Sequence, residues 1–200
     1  MDEEKNVLVV ELGGGGASSR SSSRSSLAAD LCDVDPAKGL SWARAREEAR
    51  RLGSNRVSPP INCPAWVCCL LPCVLSTNKM RRFNASIPEN ALVLRDGEWT
   101  DVDAVSLVVT DVVRLQEGDV APADLRVVES TPDFVTDMVA LTGEHESHAN
   151  LAKDLVPLAA RCVSGEATLV VTAIGDDTEI AARMRSGAWP PPPPPRSRSL

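Results

Sequence analysis

Between residue 91 and residue 185 the chain alternates short, valine-rich apolar runs with clusters of turn residues. The runs are ALVL, EWTDV, SLVV, DVVRL, ADLRVVES, FVTDMVAL and ATLVVTAI, each 4–8 residues long. That is the length of strands rather than helices, and β-branched side chains suit a pleated, half-buried surface. Asp96-Gly97 sits between the first two runs and predicts a hairpin, because both residue types tolerate the left-handed backbone of a two-residue turn. Glu117-Gly118-Asp119 predicts the next turn, with glycine free to take positive φ and Asp119 able to bond the backbone. Pro122-Ala123-Asp124 then starts a strand where no ladder donor is needed. Residues 179–185 predict a helical turn. Closely spaced short strands predict a mainly β fold, a compact distorted jelly-roll or β-sandwich with short flanking helices.

The first half has a different texture. Residues 40–55 predict a short helix, with Ser41 as cap, apolar positions at Leu40, Ala45, Ala49 and Leu52, and Gly53 as stop. Before it, a glycine run (Gly13 to Gly16) leads into SSRSSSRSS, a composition that cannot bury enough apolar surface to offset ordering. The glycines lack the Lys-Ser/Thr of a phosphate-binding P-loop. The Arg/Ser tract reads equally as a phosphorylation target or as an inert tail. INCPAWVCCLLPCVL is the most apolar stretch, but at 15 residues with Pro64 and Pro72 inside it it falls short of the roughly 20 apolar residues of a membrane span.

Composition narrows the function classes. Aromatics are only 3% and tyrosine is absent, so Val, Leu, Ile and Ala must fill the core. The net charge is −7, with acidic residues crowding the β-patterned part, which argues against a nucleic-acid backbone as partner. The acidic start MDEEKNVLVVELGGGG shows no secretory signal, which predicts a cytoplasmic location or the cytoplasmic face of a membrane. Four of the six cysteines cluster (Cys63, Cys68, Cys69, Cys73), apart from Cys32 and Cys162, a pattern of reduced thiols rather than a disulfide framework. The cluster lacks paired C-x2-C knuckles of a zinc ribbon. Packing onto the β body and acylation at a bilayer surface stay open for it.

Several motifs, in order, resemble the actuator domain of P-type cation-transporting ATPases: RDGEW with the later LVVTDVVRL, then EGDVAPADLRVVES, then LTGE, then GDDTEIA. Upstream, GLSWARAREEARRLGSNRV resembles the element that precedes the first membrane helix in many such pumps. The resemblance divides the chain into a Gly/Ser/Arg tail (1–38), the pump-like N-terminal helix (39–57), a Cys-rich segment and linker (58–90), an actuator-like domain (91–185) and a Pro-rich tail (186–200).

In that family the TGE loop carries a glutamate that helps hydrolyse a phosphorylated aspartate on another domain. The resemblance therefore implies Glu144 as the catalytic carboxylate, presented by Thr142 and Gly143, with a pump's phosphorylation domain as partner in cis or trans. A loop-tip carboxylate suits orienting a water against an acyl phosphate. Departures accompany the motifs. His145 follows TGE in place of Ser, Thr110 stands where the family has glycine, and the GT pair expected near Ala159 to Arg161 is absent. Glu144, His145 and His148 lack further ligands at metal spacing, so no metal site is expected.

DKTGT, a nucleotide-binding domain and TGDGVND do not occur in the 200 residues. The expectation is a stand-alone or truncated actuator unit that does not hydrolyse ATP by itself, with ATP and magnesium bound by the missing domains. An adaptor role is the alternative, with the run from Pro190 to Pro195 docking on a polyproline-recognising partner.

Overall fold

The computed structural model describes residues 38–58, 87–143, 147–149 and 153–189. The Gly/Ser/Arg tail before Lys38, the cysteine cluster, Glu144, His145 and the proline run Pro190 to Pro195 lie outside the described residues. For His148 only the backbone is described.

Strands β1 (Asn90–Arg95) and β2 (Glu98–Asp103) form the expected hairpin, in register from Asn90 opposite Asp103 to Arg95 opposite Glu98. Asp96 and Gly97 have φ of 51° and 84°, as a turn matching the right-handed strand twist requires. The other strands are β3 (Val112–Gln116), β4 (Asp124–Ser130), β5 (Val135–Asp137), β6 (Ser147–Ala149), β7 (Leu155–Val156), β8 (Arg161–Ser164) and β9 (Glu166–Ala173). Two antiparallel sheets result, one ordered β2-β1-β3-β9-β4-β7 and a smaller one ordered β6-β5-β8. The fold is mainly β, as the run lengths predicted.

Period-two patterning sends one set of side chains inward. In β4, Leu125 and Val127 are buried while Arg126 and Val128 are only partly so. The core joins Val93, Leu107, Val113, Leu125, Phe134 and Leu169, among others. Among the largest fully buried side chains of the described residues Phe134 is the one aromatic and the rest are Leu, Ile and Val, so the core is aliphatic but for that ring.

Two predicted strands come out differently. SLVV is not a strand: a short 3-10 turn spans Ala104–Ser106, and Leu107, Val108 and Val109 are buried in the bend that follows. The Asp111 carboxylate accepts the Val108 N–H at 2.9 Å, closing the chain into a loop instead of a ladder. FVTDMVAL pairs only over Val135–Asp137 before turning into a one-turn helix.

Thr110, at the position of the missing family glycine, has φ of 74° and is buried. Its N–H donates to Val171 O at 2.9 Å, so the sheet holds it in the left-handed region that β-branched residues avoid. That conformation costs an L-residue about 1–2 kcal/mol, against about 0.5–1 kcal/mol for glycine's extra unfolded-state freedom. Thr110→Gly also gives up a buried methyl worth about 0.8 kcal/mol, so relief of strain and loss of packing nearly cancel, and Tm in a thermal melt is expected to stay within about 4 °C of the parent. A rise of about 8 °C would mean that the left-handed strain outweighs the packing of the side chain, and a fall of that size the reverse. Ala159, at φ 67° and also buried, shares the conformation and the same balance.

Helix α1 (Trp42–Leu52) starts where predicted, with Ser41 Oγ accepting the Arg44 N–H, and ends with Gly53 N–H donating to Ala49 O at 3.0 Å. Leu40 and Ala45 pack with Val108 of the β body, and Ala49 lies against them. Leu52 faces solvent at 42% exposure, so the buried stripe is narrower than the periodicity suggested. The hairpin turn holds the helix start: Asp96 N–H donates to Leu40 O, Gly97 N–H to Lys38 O, and Asp96 Oδ2 accepts the Trp42 N–H. Arg95 and Asp111, both buried, form a bidentate ion pair below it, and the Trp42 ring stacks 4.7 Å from the Arg95 guanidinium carbon.

Candidate functional site

The LTGE segment leaves the small sheet at the end of β5. Asp137 Oδ1 accepts the Val139 N–H at 2.9 Å, starting the four-residue helix α2 (Val139–Thr142). Met138 O accepts from Leu141 N–H at 2.8 Å, Thr142 N–H at 3.0 Å and Thr142 Oγ1 at 3.2 Å. The threonine hydroxyl is thus folded back on the backbone while the residue stays exposed. Gly143 follows with φ 79° and ψ −1°, its N–H donating to Val139 O at 2.8 Å. This left-handed cap reverses the chain sharply after one turn, a task that favours glycine. Thr142, exposed, and Gly143, half-buried, therefore form a capped corner, and the next residue in the chain is Glu144.

The corner rests on a satellite core of Leu141, Leu158, Ala159, Ile180 and Met184. Ile180 and Met184 come from α3 (Glu179–Ser186), which continues the predicted helical turn, with Arg183 paired to Glu179 at 2.8 Å. Ala140, Val120, Val57, Ile87 and Trp189 pack against the same cluster. The Trp189 indole Nε1 donates to Ala140 O at 2.9 Å.

Two acidic residues fix the surroundings. Asp124, of the PAD motif, accepts Leu158 N–H at 2.8 Å and Glu179 N–H at 2.7 Å, so one carboxylate joins β4, the 157–160 loop and the start of α3. Burial pushes its pKa above the usual carboxylate value, against the pull of the two backbone donors. Asp176 accepts the Ser58 N–H at 2.6 Å and Ser58 Oγ at 2.7 Å, bonds that hold its carboxyl below the usual range. Asp119 behaves as the turn reading required, accepting the Gln116 N–H at 2.9 Å beside Gly118 at φ 93°.

Asn55, inside the GLSWARAREEARRLGSNRV element, joins three parts of the body. Its Nδ2 donates to Ala104 O at 3.0 Å and Pro122 O at 2.8 Å, and its Oδ1 accepts the Gly175 N–H at 2.9 Å. Its sequence signal is its place in GLSWARAREEARRLGSNRV. Trp189 carried no sequence signal beyond being the residue before the prolines.

Among the described residues no three His, Cys, Asp or Glu side chains gather as a metal site. Cys162 is buried, its thiol donating to Ser164 O, and burial with nearby Asp119 pushes its pKa up to about 11. Such a thiol is not a nucleophile at neutral pH. No described helix is long and apolar enough to cross a membrane.

Comparison with known proteins agrees with the motif order. The family of the P-type ATPase actuator domain matches residues 85–186. The sodium/potassium-transporting ATPase subunit alpha of Hydra vulgaris is 37% identical over 131 residues, covering 58% of this chain and 13% of that protein. The potassium-transporting ATPase alpha chain 2 of Homo sapiens is 39% identical over 124 residues, covering 56% of this chain and 12% of that protein. The chain thus spans about an eighth of the length of these relatives. A crystal structure of a zinc-transporting PIB-type ATPase in an E2.Pi state is similar with a TM-score of 0.47 and 31% identity, over 52% of this chain and 17% of that one. With the family match extending over half its residues, the chain belongs to the P-type ATPase actuator-domain family.

Proposed function

We propose that this protein works as the actuator unit of a cation pump, in cis or with a partner in trans, and that Glu144 serves the hydrolysis of an aspartyl phosphate on the pump's phosphorylation domain. The acyl phosphate is made from ATP with magnesium on other domains. Glu144 takes a proton from water as the water oxygen attacks phosphorus. The bond from phosphorus to the aspartate oxygen breaks, leaving inorganic phosphate and a free carboxylate. Thr142 and Gly143 contribute by holding the corner rigid, so that little positioning entropy is lost when the loop meets the phosphate.

The observation that carries this reading is the exposed, glycine-capped corner on a body of this family. A second observation supports it. Val57 from the exit of α1, Ile87 from the approach to β1 and Trp189 from the segment after α3 all pack on the cluster beneath the corner, so three parts of the chain outside the small sheet support it.

The test exchanges residues 38–189 for the actuator segment of a sodium/potassium pump and follows decay of the labelled phosphoenzyme. Glu144→Gln is expected to slow decay about a hundredfold, the low end for a positioned general base, while phosphorylation from ATP proceeds. Equal decay with glutamate and glutamine would eliminate the hydrolytic role.

A further inference from the structure

The geometry points to Trp189 as a positioning residue for the TGE loop: its indole ties the segment leaving α3 to the single helical turn that presents Thr142 and Gly143. A four-residue helix leaves its last carbonyls without intrahelical donors. Val139 O is taken by Gly143 N–H, and among the described residues the side chain that reaches Ala140 O is the Trp189 indole. Trp189 Nε1 meets that oxygen at 2.9 Å. The indole also lies against the cluster containing Leu141, Ile180 and Met184, so it bonds the backbone of α2 and packs below it at once.

The route to this contact is short and constrained. Gly187 ends α3 in the left-handed conformation, φ 76° and ψ 8°, with its N–H donating to Met184 O, and Ala188 N–H donates to Arg183 O at 2.9 Å. Three residues past the helix, the side chain turns back onto the loop-bearing turn. The end of α3 is thereby coupled to the position of Thr142 and Gly143. Withdrawing the indole removes a donor from Ala140 O and part of the floor under Leu141. The loop then loses its fixed position while both β-sheets remain.

That this position matters for phosphate hydrolysis rests on the actuator reading; the tether itself does not. Amide hydrogen exchange on the full chain tests it. Trp189→Phe keeps the apolar ring and deletes the donor. The N–H groups of Leu141, Thr142 and Gly143 are expected to exchange five- to tenfold faster in it, with Val171 in β9 and Ala182 in α3 unchanged. Trp189→Ala is expected to loosen Ala182 as well, since the cluster loses packing. Unaltered exchange at all three loop amides in Trp189→Phe would overturn the tether. A rise shared equally with Val171 would also overturn it, because it would report global destabilisation. The pump exchange with Glu144→Gln reports on hydrolysis separately, so the tether and the actuator reading can fail independently.

Discussion

Asp111→Ala is expected to destabilise the protein by about 3–5 kcal/mol, the loss typical when one partner of a buried ion pair is removed. Arg95 and Asp111 are 3% and 0% exposed. The pair is bidentate, with Nη2–Oδ2 at 2.6 Å and Nε–Oδ1 at 3.1 Å. Oδ2 also accepts the Val108 N–H, and Arg95 Nη2 reaches Ser106 O at 3.3 Å. Alanine would strand a guanidinium beneath Trp42 and orphan the amide that closes the 107–111 bend. Because Trp42 stacks on the same guanidinium, the loss should spread to α1. Urea denaturation measures it without screening the pair. Arg95→Met combined with Asp111→Leu should recover much of the loss, since two apolar side chains leave no unpaired charge. A loss below about 1 kcal/mol in Asp111→Ala, the range of exposed pairs, would show that water reaches the site.

This pair marks the boundary of what the sequence made legible. Run length, Asp96-Gly97 and the Gly118-Asp119 turn depend on neighbours in the chain, so β1, β2, β4 and β9 were readable within a residue or two. SLVV was misread because its fate depends on Asp111 bonding Val108, which buries the segment without a strand partner. β6, β7 and β8 have 2–4 residues each and pair with distant partners, leaving no periodic signal to find. At the candidate site, Thr142 and Gly143 are identified from the tripeptide and form a capped corner, Thr142 exposed and Gly143 half-buried. What holds the corner is tertiary: Trp189 reaches Ala140 across 49 positions, and Asp124 reaches Glu179 across 55. The missing family glycine noted at Thr110 did have structural meaning, since that backbone still takes the left-handed conformation without glycine's freedom.

Asn55→Ala is expected to cost about 3 kcal/mol, because three of the motifs read from the sequence meet at this one amide. It bonds Pro122 O in EGDVAPADLR, Gly175 N–H in GDDTEIA and Ala104 O beside β2, at 2.8–3.0 Å. Its own N–H donates to Val105 O at 3.0 Å and would survive the substitution. A net hydrogen bond contributes about 0.5–1.5 kcal/mol, while a buried group left unpaired costs about 1–3 kcal/mol. The site is part-buried, so water reaches some of the orphaned groups, and three lost bonds at about 1 kcal/mol each give the total of about 3 kcal/mol. The damage should be directional. The start of α1 remains held by Asp96 and Gly97, whereas its exit, residues 53–58, keeps only the Asn55 N–H bond to Val105 O, the bonds of Ser58 to Asp176 and the packing of Val57. Amide exchange should therefore rise most at Asn55 and Gly175 and least at Ala45. A uniform rise, or a loss below about 1 kcal/mol, would mean that the ion pair and Leu40 carry the helix without Asn55. The motif order would then reflect ancestry alone, with no present role in joining the N-terminal element to the domain that carries the loop.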